Sequence, residues 1–209
     1  MSRSRSPAGG WALRRPPPAT DAGVTLIELL VVITIVVAIV AIAAPMTASA
    51  IEAGRAQQAA AFVAARFRLA HHQAAAQSTS VGVLFDVSGG RTTFRVCRDG
   101  NGNGLRRAEA DSGVDPCVDG PYDVGVLYPG VTFEVDPTLR GPDNEPGSPD
   151  AIRLGHGDLA SFSPVGTCTA GSVFLRSRSG LQYVVRLAGA TSRTRTLLYD
   201  ASTRAWRER

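Results

Sequence analysis

The sequence predicts an α+β protein in which a long N-terminal helix packs on a C-terminal antiparallel β domain made of two small sheets. An apolar stretch runs from residue 24 to 45, and a segment rich in strong helix formers follows it. From Val81 onward, short runs of β-forming residues alternate with turn residues. The β-rich part has about 130 residues, which is enough for one modest core, so we expect one globular domain.

The apolar stretch is long enough for one crossing of a bilayer. From Val24 to Ala44 there are 21 residues, apolar except for two threonines and Glu28, and a helix of this length spans roughly 30 Å. A charge inside such a span is costly and usually has a function. Glu28 is therefore the first candidate functional residue.

The helical pattern continues beyond Pro45. Phe62 with Leu69, and Val63 with Phe67, recur at helical spacing. We expect the helix to reach about Gln77 and to bury the side that carries these four residues against the β domain.

The β domain is predicted from short runs and turn signals. Gly89-Gly90 and Arg178-Ser179-Gly180 are typical of tight turns between antiparallel strands. The predicted strands are Val81 to Val87, Thr92 to Cys97, Val131 to Val135, Val173 to Leu175, Tyr183 to Leu187 and Thr196 to Tyr199, with weaker candidates at Ala151 to Leu154 and Leu159 to Phe162.

Residues 23–29, GVTLIEL, resemble the GFTLIEL signature of type IV pilins and of the pseudopilins of type II secretion. The resemblance implies that a membrane aspartyl protease, the prepilin peptidase, cuts between Gly23 and Val24 and methylates Val24. It also implies that the helix serves as anchor and later as filament core, where Glu28 pairs with the N-terminal amine of a neighbouring subunit. Pro45 lies where such helices commonly kink, because its ring clashes with the carbonyl four residues back.

The same resemblance divides the chain into four parts. We expect residues 1–23 to be a cleaved cytoplasmic leader, 24–45 the transmembrane half of the helix, 46–78 its periplasmic continuation, and 79–209 the globular domain, with loops 98–130 and 136–150. Arg3, Arg5, Arg14 and Arg15 precede the span with only Asp21 opposing them, which places the N-terminus in the cytoplasm. The expected location is the bacterial inner membrane, single-pass, with the outer domain in the periplasm.

Two C-terminal segments resemble the GspH/FimT family of minor pseudopilins and pilins. They are residues 171–195, GSVFLRSRSGLQYVVRLAGATSRTR, and residues 162–166, FSPVG. The family fold has two small antiparallel sheets beside a long helix. The resemblance implies a structural subunit near the tip of a short periplasmic filament that helps to initiate assembly and protein export. Its partners would be the prepilin peptidase, other major and minor pseudopilins, the inner-membrane assembly platform and secreted cargo.

The segment after Cys97 begins like a calcium loop. Asp99, Asn101 and Asn103 are spaced by two and Gly104 follows, but the closing ligand is wrong, because Ala110 stands where a glutamate is required. An irregular Ca²⁺ site that also uses Asp111 is one interpretation. A solvated Asn-Gly turn without an ion is the favoured one, and no cofactor is expected.

Three cysteines in an exported domain favour one disulfide and one free thiol. Cys97 and Cys117 bracket the loop, as in a Cys-loop-Cys arrangement of the resembling family, and are the preferred pair. Closing about 20 residues would contribute around 3 kcal/mol by restricting the unfolded chain. Cys168 is the competing partner.

No nucleophile elbow, metal motif or phosphate-cradling loop joins the polar residues into a catalytic site, so we expect no enzyme activity. The net charge is +4, and the leader accounts for most of it with four arginines against one aspartate. The main alternative function is DNA binding by a FimT-like minor pilin, for uptake or for priming pilus assembly. Its phosphate contacts would be Arg193, Arg195, Arg204 and Arg207, with Trp206 stacking on a base. A solvated basic sheet edge is the simpler interpretation of these arginines.

Overall fold

The computed structural model describes residues 23–209 and has one long apolar N-terminal helix followed by an antiparallel β domain with two sheets. The contacts divide the chain into two compact units, the second of which begins at Pro45. The predicted leader, with Arg3, Arg5, Arg14 and Arg15, lies outside the described residues except for Gly23.

Helix α1 runs from Leu26 to Gln77 and is long and apolar enough to cross a membrane. Its C-terminal end agrees with the sequence prediction. The helix continues through Pro45, so the kink predicted there stays a prediction.

The remaining elements alternate short helices and strands. In chain order they are β1 (Val81–Ser88), β2 (Arg91–Arg98), α2 (Arg107–Ser112), β3 (Cys117–Asp123), α3 (Val124–Leu127), β4 (Val131–Thr132), β5 (Ile152–Leu154), β6 (Leu159–Phe162), β7 (Gly171–Ser177), β8 (Gln182–Ala188), β9 (Arg193–Asp200) and β10 (Ala205–Glu208).

The strands form two antiparallel sheets. The first has the order β3-β2-β1-β6, and the second has the order β10-β9-β8-β7-β4, with β5 also pairing with β7. The turn between β1 and β2 places Gly89 and Gly90 at φ values of 59° and 75°. Two successive positive φ values match the right-handed twist of a hairpin and favour glycine, so the predicted turn is confirmed.

The main core lies between α1 and both sheets. The buried stripe of the helix is rich in alanine, which lets the strands approach the helix axis closely, and Val63 and Phe67 are its large members. The prediction that Leu69 belongs to this stripe was wrong, because Leu69 is 41% exposed while Ala70 is buried. Phe62 is half-buried and packs at the edge of the core against Phe94 and Tyr122.

Each sheet has a second apolar face, which a loop covers. Leu84 and Cys97 of the first sheet pack with Leu105 and Ala110 from the segment between β2 and β3. Phe174 and Val184 of the second sheet pack with Val135 and Trp206. The two long loops therefore complete the β domain.

The predicted strands are present, with changes at their ends. The strand predicted over Val131 to Val135 ends at Thr132, because only Val131 and Thr132 find partners on β7 and Val135 turns into the outer cluster. Strand β3 was missed, since Gly120, Pro121 and two aspartates are poor β formers. Strand β10 was missed because it is short and half charged.

Candidate functional site

The N-terminal segment places the predicted processing and assembly residues at the start of α1. Gly23, Val24 and Thr25 precede the helix and are exposed. The Thr25 hydroxyl accepts a hydrogen bond from the backbone N–H of Glu28 at 3.3 Å, so Thr25 caps the helix. Glu28 lies in the first turn, where a carboxylate is favoured by the unpaired N–H groups of the helix end.

The apolar part of α1 has no cover within the described residues. Every large apolar side chain from Val24 to Ile42 is at least 51% exposed. Contiguous apolar surface of this extent marks a membrane or protein interaction site. Such a surface is typical of a segment that lipid or another protein covers.

The structure joins Cys97 and Cys117 by a disulfide and leaves Cys168 as a free cysteine. The two bonded cysteines lie opposite each other on β2 and β3. Burial raises the pKa of the Cys168 thiol, which keeps the thiol in its less reactive neutral form.

The residues considered for the alternative calcium site form a hydrogen-bonded turn. The Asp99 carboxylate accepts bonds from the N–H groups of Asn101 at 3.1 Å, Gly102 at 2.7 Å and Gly104 at 2.7 Å. Partial burial pushes the pKa of Asp99 upward, but the bonds from Gly104, Gly102 and Asn101 outweigh it and hold the pKa below its ordinary value. The side-chain oxygens of Asp99 are thus engaged with backbone donors.

The other candidate ligands do not converge on Asp99. The amides of Asn101 and Asn103 donate to Glu109 at 2.7 and 3.0 Å, and Asp111 pairs with Arg95. Among residues 23–209 no group of three or more histidine, cysteine or acidic residues is placed to hold a metal.

Sequence reasoning missed the residue that closes this loop. Asp115 is buried and accepts hydrogen bonds from the N–H groups of Gly100 and Arg106, each at 3.0 Å. Two backbone segments thereby converge on one carboxylate. An aspartate before a proline is too common in loops to have revealed this role.

Arginines attach the loop to the first sheet. Arg107 donates to Asp86 at 2.9 Å and to the carbonyl oxygens of Gly157 and Phe85. Arg95 lies between Asp86, at 3.2 Å, and Asp111. The loop is therefore held by ion pairs as well as by the disulfide.

Three of the four predicted DNA-contacting arginines are paired with acids. Arg193 and Arg195 share Glu208 at 3.7 and 3.3 Å, and Arg207 lies 3.0 Å from Asp200. The hydroxyl of Ser202 donates to Asp200 and is the main cause that lowers its pKa to about 2, so Asp200 remains charged.

Arg204 differs from the other three arginines. It makes no ion pair with any residue in the described part of the chain, and it lies exposed in the turn between β9 and β10 with φ at 50°.

Residues 136–150, here called the strap, run over the outer face of the second sheet. The indole N–H of Trp206 donates to the carbonyl of Arg140 at 2.9 Å, and Arg186 pairs with Asp143. The guanidinium of Arg153 lies 4.5 Å from the ring centre of Phe174 and donates to two carbonyls near the end of the strap. The predicted loop is therefore fixed at several points.

Trp206 is itself packed in place. Its ring centre lies 5.9 Å from that of Phe174 and 5.3 Å from that of Tyr199, both in edge-to-face arrangements. Its inner side is thus a structural contact with the sheet.

Comparison of the chain with protein-family models, with curated proteins and with solved structures finds no match in any of the three.

Proposed function

We propose that the chain is a minor pseudopilin of the GspH/FimT type, a structural subunit at or near the tip of a periplasmic type II secretion filament. In this role it is processed by the prepilin peptidase, assembles with other pseudopilins through the inner-membrane platform, and helps to initiate the filament and protein export. The observation that carries the proposal is the exposed apolar start of α1 with Glu28 in its first turn.

The non-helical segment before α1 supports processing between Gly23 and Val24. A protease binds its substrate with an extended backbone, and a peptide bond inside a helix would not be accessible for cleavage. Thr25 caps the helix, so Gly23 and Val24 stay outside it. The bond that the resemblance assigns for cleavage is exposed.

The surface of α1 supports a role in a filament core. In the membrane, lipid would cover the apolar side chains. In the filament, the same side chains would pack against equivalent helices of neighbouring subunits. The Glu28 carboxylate would then move from water into an apolar environment, where it needs a positively charged partner. The N-terminal amine that cleavage creates on a neighbouring subunit supplies one.

The ion pairs near the C-terminus favour the assembly role over DNA binding. Phosphate contacts by Arg193, Arg195 or Arg207 would first have to replace ion pairs with Glu208 or Asp200. Paired arginines on an edge hairpin are also a common way to discourage aggregation. Binding of DNA for uptake remains the alternative proposal.

Replacement of Glu28 tests the assembly role. In cells that carry the peptidase, the other pseudopilins and the platform, we expect Glu28→Gln to be processed normally. Its amount in the sheared or pelleted filament fraction should fall at least about tenfold, because one partner of a buried ion pair is lost.

Glu52→Gln is the matched control, since it removes the next acidic residue along the same helix and should assemble like the wild-type chain. Normal incorporation of Glu28→Gln would contradict the proposed pairing of Glu28.

A further inference from the structure

A cavity of about 540 Å³ lies between the strap and the hairpin of β9 and β10. Its volume is within the range of ligand-binding clefts. Leu139 and Arg140 of the strap form one side, and Tyr199, Arg204 and Trp206 form the other. Its walls are held in place by the bond from Trp206 to the Arg140 carbonyl.

The residues that line this cavity have one sign of charge. Arg140 and Arg204 line it, and no aspartate or glutamate does. Within the described residues, the Arg140 guanidinium donates only to the neutral side chain of Asn144, at 3.1 Å, and Arg204 makes no ion pair. Two uncompensated guanidinium groups beside apolar and aromatic surface favour a ligand that combines negative charge with an apolar group.

The charge around the cavity limits the size of that ligand. The adjacent cavity, of about 270 Å³, contains Arg186, Arg193 and Arg195, but these arginines pair with Asp143 and Glu208. An extended polyanion that crossed both cavities would meet these carboxylates. A ligand with one or two negative charges matches Arg140 and Arg204, which have no acidic partner within the described residues.

We propose that this cavity binds an acidic peptide segment with an aromatic side chain, presented by a partner protein. One or two carboxylates of the segment pair with Arg140 and Arg204, and its aromatic ring lies against Tyr199 and Trp206. The site gives the β domain a partner contact that is separate from the filament helix, so it goes beyond the proposed assembly role and does not depend on it.

The test measures peptide binding to the full chain in detergent micelles. The chain has two tryptophans, so Trp11→Phe leaves Trp206 as the only indole and makes its fluorescence a reporter of the cavity. The probe is a blocked, dye-labelled hexapeptide with two glutamates and two phenylalanines. Its comparisons are the same peptide with glutamines in place of the glutamates, and a thymidine trimer with two phosphates.

We expect the acidic peptide to bind and to change the Trp206 emission. The affinity of the acidic peptide should fall about tenfold in the double variant Arg140→Gln/Arg204→Gln. The neutral peptide should bind the unaltered chain about tenfold more weakly than the acidic peptide does. Arg98→Gln is the matched control, since it removes an exposed arginine of the first sheet and should change the affinity less than about twofold.

Three results would overturn the proposal. They are absence of binding at about 1 mM peptide, equal binding to the double variant, and tighter binding of the thymidine trimer with the same dependence on Arg140 and Arg204. The last result would assign the cavity to nucleic acid instead.

Discussion

At the scale of single residues, a few backbone positions decide whether the loops can lie on the sheets. Gly82 of β1 is the clearest case. A Cβ atom there would lie 2.6 Å from the Ala160 carbonyl oxygen and 2.6 Å from a methyl carbon of Leu105. The absence of a side chain at residue 82 therefore lets Leu105 cover the first sheet.

Substitution of Gly82 measures this contact. We expect Gly82→Ala to lower the free energy of unfolding by about 1–3 kcal/mol, because backbone and a buried leucine must shift. The measurement is urea unfolding of the full chain in detergent, followed by circular dichroism.

Gly54→Ala provides the control for Gly82→Ala. Gly54 is in α1 with open space around its Cβ position, so alanine should raise stability by about 0.5–1 kcal/mol. Equal effects of the two substitutions would contradict the close approach of Leu105.

Asp99 makes the stability of its loop depend on pH. The pKa of Asp99 is lower in the folded chain than its ordinary value of 3.8. Ionised Asp99 therefore stabilises the fold above about pH 4, and this stabilisation is lost as the pH falls through the folded pKa. We expect the Asp99→Asn variant to have a lower melting temperature than the wild-type chain at pH 7. Thermal unfolding from pH 7 to pH 2.5 should show the difference shrinking below about pH 4, and a constant difference would contradict this role.

At the scale of elements, helix packing followed the sequence pattern only in part. The helix can bury only one side, and apolar character alone did not show which of the residues Phe62, Val63, Phe67 and Leu69 lie on that side. Alanines occupy most of that side, and an alanine is equally common on an exposed helix face, so the pattern did not show that Ala70 replaces Leu69 in the core.

Two substitutions separate these positions. Phe67 is fully buried and contacts Phe85 and Phe162, so Phe67→Ala should cost about 3–5 kcal/mol of unfolding free energy. Leu69→Ala should cost less than about 1 kcal/mol, since the side chain is 41% exposed. Comparable losses in urea unfolding would contradict the observed orientation of the helix.

The sequence indicated most strands because their β-branched and aromatic residues are flanked by glycines and other turn residues. It did not indicate β3, because this strand is stabilised by residues that are distant from it in sequence. Arg66 of α1 pairs with Asp119 at 2.6 Å and stacks over Tyr122 at 4.5 Å, while the disulfide fixes Cys117. The cavity beneath the strap was hidden for the same reason, since Arg140 and Trp206 are 66 residues apart.

At the scale of the whole molecule, the chain combines two surfaces of opposite character. Its first unit presents an apolar helix surface without cover in the described residues. Its second unit buries a core between one side of α1 and both sheets, and loops cover the outer sheet faces. The assembly role that we propose would use this division, with the apolar helix packing among other helices and the β domain folding separately.

Our proposal that the chain enters a filament after removal of residues 1–23 is tested most directly by the N-terminal residue of the protein recovered from the membrane fraction. We would determine by mass spectrometry the N-terminal residue of the chain expressed with and without the prepilin peptidase. We expect a chain that begins at Val24, with or without a methyl group, only when the peptidase is present. A chain that keeps residues 1–23 in the presence of an active peptidase would contradict it.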